Sequence, residues 1–292
     1  MQEQSISQTY CGRFAPSPTG PLHLGSLACA LATWLDARAH DGKWIVRIED
    51  IDPPRDVPGA DKLILETLAR FHLFSDIPVV FQSKRHGLYE EAFQKLYDTG
   101  QIYGCCCTRA EIRAADASLG LADGVYPGTC RNGTGGREVR AWRFLVSKTP
   151  VGFTDRANGR FEQDLETAVG DFTIRRADGL WAYQLAVVVD DADQGITDIV
   201  RGADLLDNTP RQIALQKALG LPQLSYLHIP LVLDSHGRKL SKQNHAPAVP
   251  SDAPLHTLEI VWKHLGFKPL GADSIDAFLS VAQHVWAERW CM

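Results

Sequence analysis

The sequence lacks any apolar stretch long enough to cross a bilayer. Its longest aliphatic run is Leu185–Val189, far short of the roughly 20 residues a spanning helix needs. It also lacks the basic-then-apolar leader of an exported protein, because Met1 to Thr9 is polar. These absences predict a cytoplasmic protein. Positive charge is not in excess either. The net charge is −5, so a nucleic-acid partner has to meet a local basic patch rather than the bulk field. Arg131, Arg137, Arg140 and Arg143 form one candidate stretch, and Arg175 with Arg176 another; a solvated face accounts for both equally well. Cysteine is sparse and odd in number, with seven in 292 residues. Without an export leader, that count argues against a disulfide framework. Internal repeats are absent.

What is present is an ordinary globular composition, 45% hydrophobic and 22% charged. The length predicts one large domain with an insertion or a small satellite. A strand over Cys11–Ala15 ends at Pro16, and the loop Pro16–Pro21 is too rich in proline for helix or sheet interior. A helix over His23–His40 follows, with Leu27, Leu31 and Leu35 on one stripe. Lys43–Glu49 reads as the next strand. Strand, glycine-containing loop, helix and strand make a βαβ unit and imply a parallel sheet. Two more helices are expected, Gly59–Phe74 and Gly87–Thr99, with Tyr89, Phe93 and Tyr97 on one face of the second. Residues 101–180 change character, rich in Cys, Gly and Arg and without a long periodic helix. They read as an inserted subdomain between the two halves of the main domain, 1–100 and 181–245. In the second half, Ile196–Val200 reads as a strand. Thr209, Pro210 and Gln212 suit a helix start, with Thr209 as cap and Gln212 closing a capping box. Gly220 ends that helix, and Leu231–Leu233 reads as a strand. Residues 246–292 form a short helical tail. In its first helix Leu258, Val261, Trp262 and Leu265 face one way; in its second, Phe278, Leu279, Ala282 and Trp286 do.

Two segments point to a polyphosphate. In Pro18–Ser26, Gly20 and Gly25 let backbone approach a ligand, and the helix start offers unpaired N–H groups with partial positive charge. His23 stands there to donate to a phosphate oxygen, although a histidine at a helix start is more often structural. Lys239-Leu240-Ser241-Lys242 places two lysines around a serine, which suits a pyrophosphate leaving group. Each is weak alone. Together, Arg13-Phe14-Ala15-Pro16-Ser17-Pro18-Thr19-Gly20-Pro21-Leu22-His23-Leu24-Gly25 and the later Lys239–Lys242 segment resemble the two signatures of class I aminoacyl-tRNA synthetases. The arginine-first version is similar to the glutamyl branch. So are Val46–Asp52 and Ile199–Pro210. Mild departures are Leu24, where the family's name-giving motif has isoleucine, and Leu240 and Gln243 in place of methionine and serine.

The resemblance implies a Rossmann-like α/β core, a parallel sheet with helices on both faces, interrupted by an inserted α+β zinc-containing subdomain. It implies ATP with Mg²⁺ as co-substrate, held by His23, Gly25, Lys239, Ser241 and Lys242, with His23 and Lys242 stabilising the charge that develops. Glutamate needs a cation for its side chain, an anion for its ammonium group, and walls. Guanidinium binds carboxylate through two parallel hydrogen bonds, which lysine cannot copy. Arg13 and Arg201 each end a strand, and strand carboxyl ends are where ligands bind in open α/β sheets. Glu49 ends the second strand and suits the ammonium; Tyr183 suits a wall. The family likeness implies a glutamate site of Arg13, Phe14, Ala15, Pro16, Ser17, Glu49, Tyr183 and Arg201. An Arg–Glu ion pair closing the sheet edge is the structural alternative.

Cys105, Cys106, Cys107 and Cys130 invite a metal reading. Zinc takes four ligands, and no histidine falls between residues 87 and 227. Free cysteines in a loop fit the same residues. The resemblance favours zinc on Cys105, Cys107, Tyr126 and Cys130, with Cys106 a bystander.

Only about 50 residues follow Lys242. Full-length glutamyl-tRNA synthetases carry a sizeable anticodon-binding region there. The chain therefore looks like their truncated paralogues, the glutamyl-queuosine tRNA(Asp) synthetases. That likeness implies transfer of glutamate to queuosine in the anticodon loop of tRNA(Asp), with the loop entering where an acceptor end would otherwise sit. A short glutamyl-tRNA synthetase charging a 3′ end, a glutaminyl enzyme and a non-catalytic RNA-binding paralogue stay open as alternatives.

Overall fold

The computed structural model describes residues 9–122, 124–232, 247–250 and 252–291. Lys239, Ser241 and Lys242 lie outside the described residues, as do Leu233 and the turn Asp234–Gly237. The main sheet is built from parallel strands. β1 (Cys11–Phe14), β2 (Lys43–Ile48) and β3 (Val80–Phe81) form one part, in that order. The register of the first pair sets Arg13 opposite Ile45. β6 (Val151–Asp155), β9 (Asp198–Gly202) and β10 (Ser225–Ile229) form a second part, with β7 (Gly159–Gln163) antiparallel on its edge, in the order β7-β6-β10-β9. The two parts meet where the Thr197 N–H donates to the Cys11 carbonyl at 2.9 Å.

Alternation along these strands assigns the two faces. Phe14, Trp44, Val46, Ile48, Val200, Leu227 and Ile229 belong to one apolar core, and Cys11, Ile45, Ile199 and Tyr226 to the other. The first core is covered by α1 (Leu24–Ala39), α2 (Ala60–Arg70) and the tail helices α8 (Pro254–His264) and α9 (Ile275–Trp290). The second is covered by α3 (His86–Asp98), α6 (Tyr183–Asp193) and α7 (Thr209–Leu219). Among the described residues no helix is long and apolar enough to cross a membrane.

The helix α1 is buried more widely than a single leucine stripe requires. Ala28, Ala30, Ala32 and Ala37 are buried along with Leu27, Leu31 and Leu35. One side packs on β1, β2 and β9, the other on α8 and α9, so an apolar surface nearly all round is satisfied. The expected tail stripes are all buried.

Within 101–180, β4 (Ile102–Cys105), β5 (Ala141–Phe144) and β8 (Thr173–Arg175) make a separate antiparallel sheet. Two further helices occur here, α4 (Arg109–Leu119) and the one-turn α5 (Leu165–Ala168). The β6–β7 hairpin of the same stretch joins the main sheet instead, through Asp155 beside Tyr226.

Three local expectations are corrected. Thr209 is not a helix cap: Asn208 occupies that position without a side-chain cap bond. The Thr209 hydroxyl and the Gln212 amide are both turned to Arg201 instead. Tyr97 is exposed rather than on the buried face of α3, where Leu96 takes its place; its ring rests edge-on against Trp142. The strand near Leu231 lies upstream, as β10, and Leu231 and Val232 are outside it.

Candidate active site

Strand parity explains how charge is gathered. Cys11 and Arg13 share one side of β1; Ile45 and Arg47 share a side of β2, with Glu49 next in phase; Ile199 and Arg201 share a side of β9, and Tyr226 and His228 a side of β10. In every case the apolar residue packs into the core under α6 and α7, and the polar one follows at the carboxyl end. The result is a cavity of about 300 Å³, lined by Arg13, Phe14, Ala15, Pro16, Ser17, His23, Gly25, Glu49, Tyr183 and Arg201, among others. The loop after β1 is fixed to the end of β2, since the Glu49 N–H donates to the Pro16 carbonyl at 3.0 Å.

His23 is the N-cap of α1, not a first-turn residue. Its Nδ1 accepts the Ser26 N–H at 3.2 Å. That contact leaves the proton of a neutral ring on Nε2, the nitrogen then able to donate. Cys29 also lines the cavity; burial pushes its thiol up to about 11, so it is a protonated wall and not a nucleophile.

A buried ionic network stands behind the cavity, and sequence reasoning missed most of it. Arg47 is fully buried and donates to Asp191 at 2.9 Å, to Glu49 at 3.1 Å and to Gln194 at 2.6 Å. Asp191 also accepts Arg13 Nε at 3.2 Å. Asp190, its neighbour on α6, accepts from Gln82 at 2.6 Å, Arg85 at 2.6 Å and Tyr89 at 2.9 Å. Glu49 therefore does form an ion pair, but with Arg47 rather than with Arg13 or Arg201. Burial raises the Glu49 pKa, against the pull of Arg47 and Arg13. Burial likewise opposes ionisation of Asp191, but Arg13 and Arg47 outweigh it and hold the carboxyl below the usual range.

The cysteine cluster is a separate, buried centre. The sulfurs of Cys105, Cys107 and Cys130 all lie within 4.8 Å of one another. Cys107 and Cys130 are 3.5 Å apart, close to the edge of about 3.8 Å expected for thiolates on a tetrahedral zinc. The Tyr126 hydroxyl is 3.3 Å from Cys105 Sγ and 3.7 Å from Cys107 Sγ. Cys106 Sγ reaches Cys130 at 3.6 Å but is outside the mutual group. Burial works against the Cys130 thiolate, yet hydrogen bonds from Tyr126, the Cys106 N–H and the other two thiols bring its pKa down to about 6. This donor set fits a zinc ion. Asp36, His40 and Cys291 also converge, but both Asp36 oxygens are already taken by Arg156, Tyr10 and Trp286.

The candidate basic stretches are largely neutralised. Arg131 pairs with Asp171 and Glu166, Arg137 with Glu111, and Arg176 with Asp52 and Asp178. Arg143 lies over the Tyr126 ring at 3.7 Å, and Arg175 over Trp181 at 4.8 Å.

Comparison with known proteins places this geometry. Residues 11–253 match the family of class I tRNA synthetases (E and Q), catalytic domain. The fold is that of a class I synthetase catalytic domain. A glutamyl-Q tRNA(Asp) synthetase of Bordetella bronchiseptica is 55% identical over 290 residues, covering 97% of this chain and 90% of that protein. One of Cupriavidus metallidurans is 56% identical over 294 residues, covering 97% and 93%. The chain belongs to the glutamyl-Q tRNA(Asp) synthetase family. Among solved structures, a glutamate tRNA ligase from Elizabethkingia meningosepticum, in complex with its amino acid, superposes with a TM-score of 0.71 at 28% identity, over 81% of this chain. A glutamate-tRNA synthetase from Elizabethkingia anophelis gives 0.79 at 25% identity, over 93%. This chain spans 52% and 65% of those two chains.

Proposed function

We propose that the protein activates L-glutamate with ATP and transfers it to queuosine in the anticodon loop of tRNA(Asp), in the cytoplasm. The observation that carries the first half is one cavity lined by two arginines, a glutamate and a tyrosine, with the α1 N-terminus opening into it. Arg201 and Arg13 receive the side-chain carboxylate, Glu49 the ammonium group, and Tyr183 forms a wall, beside Phe14, Ala15, Pro16 and Ser17. The second half rests on the family to which the chain belongs.

ATP enters with its phosphates toward the start of α1, where the positive end of the helix, Gly25 and the His23 ring face the developing charge. Mg²⁺ accompanies the nucleotide and offsets phosphate charge. An oxygen of the glutamate α-carboxylate attacks the α-phosphorus of ATP, the bond to the β-phosphate breaks, and pyrophosphate leaves. Lys239, Ser241 and Lys242 belong to this step by their motif. A queuosine hydroxyl then displaces AMP from the glutamyl-adenylate. Alignment and charge stabilisation suffice, with no covalent link to the enzyme. Zinc on Cys105, Cys107, Cys130 and Tyr126 would be structural, tying β4 to the loop that holds Cys130.

Incubation with ATP, labelled glutamate and tRNA with and without queuosine tests the reading. Label retained only on queuosine-containing tRNA(Asp) is expected. Periodate-sensitive charging of unmodified transcript would instead reveal a 3′-end enzyme, and no glutamate-dependent pyrophosphate exchange would reject catalysis.

A further inference from the structure

Arg201 differs from the other two buried arginines near the cavity. Arg13 and Arg47 are both tied to Asp191. Among the described residues, every hydrogen-bond partner of Arg201 is neutral. Its Nε donates to His228 Nε2 at 3.0 Å, its Nη1 to the Gln212 carbonyl oxygen at 2.8 Å, and its Nη2 to the Thr209 hydroxyl at 2.7 Å and the Leu205 carbonyl at 3.4 Å. Arg201 is 3% exposed, so its charge is held in a low-dielectric site, and none of these hydrogen-bond partners neutralises it.

The contact with His228 fixes more than distance. A guanidinium N–H can only donate, so Nε2 must carry no proton and the ring's single proton sits on Nδ1. Nδ1 is 2.6 Å from Asp155 Oδ2, which also accepts the His228 backbone N–H at 3.0 Å. Asp155 is itself anchored: its Oδ1 accepts the N–H groups of Ala157 and Asn158 and the Asn158 side-chain amide. The chain of groups is therefore carboxylate, imidazole, guanidinium, running from β6 through β10 to β9. The carboxylate is one ring away from Arg201. It orients the acceptor without reaching the cation.

We propose that the Asp155–His228 pair is the positioning device that sets preference for an acidic over an amide side chain, by fixing the plane of Arg201 while leaving its charge unspent. This rests on the reading of the cavity as a glutamate site with Arg201 facing the side-chain carboxylate. The four hydrogen bonds of Arg201 use four of its five guanidinium N–H groups and leave one, on Nη1, for a ligand. A carboxylate meets it with an acceptor that also carries the negative charge those partners lack, whereas an amide meets it with a neutral oxygen or, turned over, with an opposing donor. Only a guanidinium that cannot rotate keeps that single N–H, and the charge behind it, aimed at the side chain of the ligand. Burial lowers the His228 pKa and, with Arg201, outweighs Asp155, which keeps the ring in its accepting form.

The test is pyrophosphate exchange with glutamate and with glutamine for the wild type, His228→Leu and His228→Gln. His228→Leu removes the acceptor; His228→Gln restores an oxygen at similar reach. For His228→Leu the glutamate KM is expected to rise at least about tenfold with kcat within about threefold, and the glutamate-over-glutamine ratio to fall about tenfold. His228→Gln should recover most of both. If His228→Leu does not fold by circular dichroism, His228→Asn replaces it, because its oxygen stops short of Arg201. A folded acceptor-less variant with wild-type KM and selectivity overturns the proposal alone. A wild type with no glutamate-dependent exchange overturns the glutamate site itself.

Discussion

Arg13 and Arg47 share one carboxylate oxygen, Oδ1 of Asp191, at 3.2 and 2.9 Å. A cation that lines the cavity is thus tied to one buried behind it. Replacing Asp191 by Asn keeps the shape and removes the charge. Arg47 is then left with Glu49 and Asp190, and Arg13 loses the carboxylate it donates to. Uncompensated buried charge of this kind costs about 3–5 kcal/mol, and Arg13 loses the contact that orients it. Asp191→Asn is expected to lower the free energy of unfolding in urea by that order and to raise the glutamate KM roughly tenfold. A variant with wild-type stability would show that the network is not the support its geometry implies.

The same network gives a pH dependence with a definite sign. Asp191 has its pKa lowered in the folded protein, because Arg13 and Arg47 outweigh the cost of burial. An unfolded aspartate titrates near about 3.9. The stability that the Asp191 carboxylate contributes is therefore complete above that value and is lost as pH falls through the lower folded pKa. Urea midpoints measured between about pH 6 and pH 2.5 should hold steady and then drop below about pH 4. Asp191→Asn should show a shallower drop. Equal slopes in the two proteins would remove Asp191 from the acid response.

The main features of the site were legible because they follow from strand parity and strand ends. Arg13, Glu49 and Arg201 each close a strand, and closing strands of a parallel sheet converge at one rim. Asp190 and Asp191 were not found, since they follow the apolar run Leu185–Val189 and read as its polar end. A signal existed: they fall seven and eight residues after Tyr183, on the same side of a helix. In the sequence Arg47 stands out only as part of a motif, and its burial depends on anions from a helix far along the chain. The capping box at Thr209 failed for a related reason, as tertiary partners claimed both of its side chains. The wide burial of α1 depends on the docking of α8 and α9, which no local pattern in α1 records.

The cysteine cluster separates its members by geometry. Cys105, Cys107 and Cys130 form the mutual group, whereas Cys106 touches only the edge of it. Protein purified without chelator should carry zinc, and each of Cys105→Ser, Cys107→Ser and Cys130→Ser should reduce it to below about 0.2 per chain. Cys106→Ser should leave it unchanged. Tyr126→Phe should weaken affinity without abolishing binding in excess zinc, because three thiolates remain. Atomic emission on the wild type and the five variants decides the matter. Wild-type protein that is folded and below the same threshold would end the zinc reading.

Asp36 joins the tail to the catalytic core. It is completely buried, yet its two oxygens accept the Tyr10 hydroxyl at 2.5 Å, both Arg156 amino groups at 2.7 Å and the Trp286 indole N–H at 2.8 Å. Arg156 also donates to the Trp290 carbonyl at 3.0 Å. One carboxylate in α1 therefore holds the residue leading into β1, the β6–β7 turn and α9 at a single point. Asp36→Asn retains one acceptor oxygen and turns a donor toward groups that themselves donate. The expected loss is about 3 kcal/mol, the lower end for breaking a buried pair, concentrated at the tail. Limited proteolysis should cut α9 faster in the variant than in the wild type, and tryptophan emission should shift to longer wavelength as Trp286 meets water. Faster cleavage confined to other segments would show that the tail is held by its apolar face alone, through Phe278, Ala282 and Trp286 against α1.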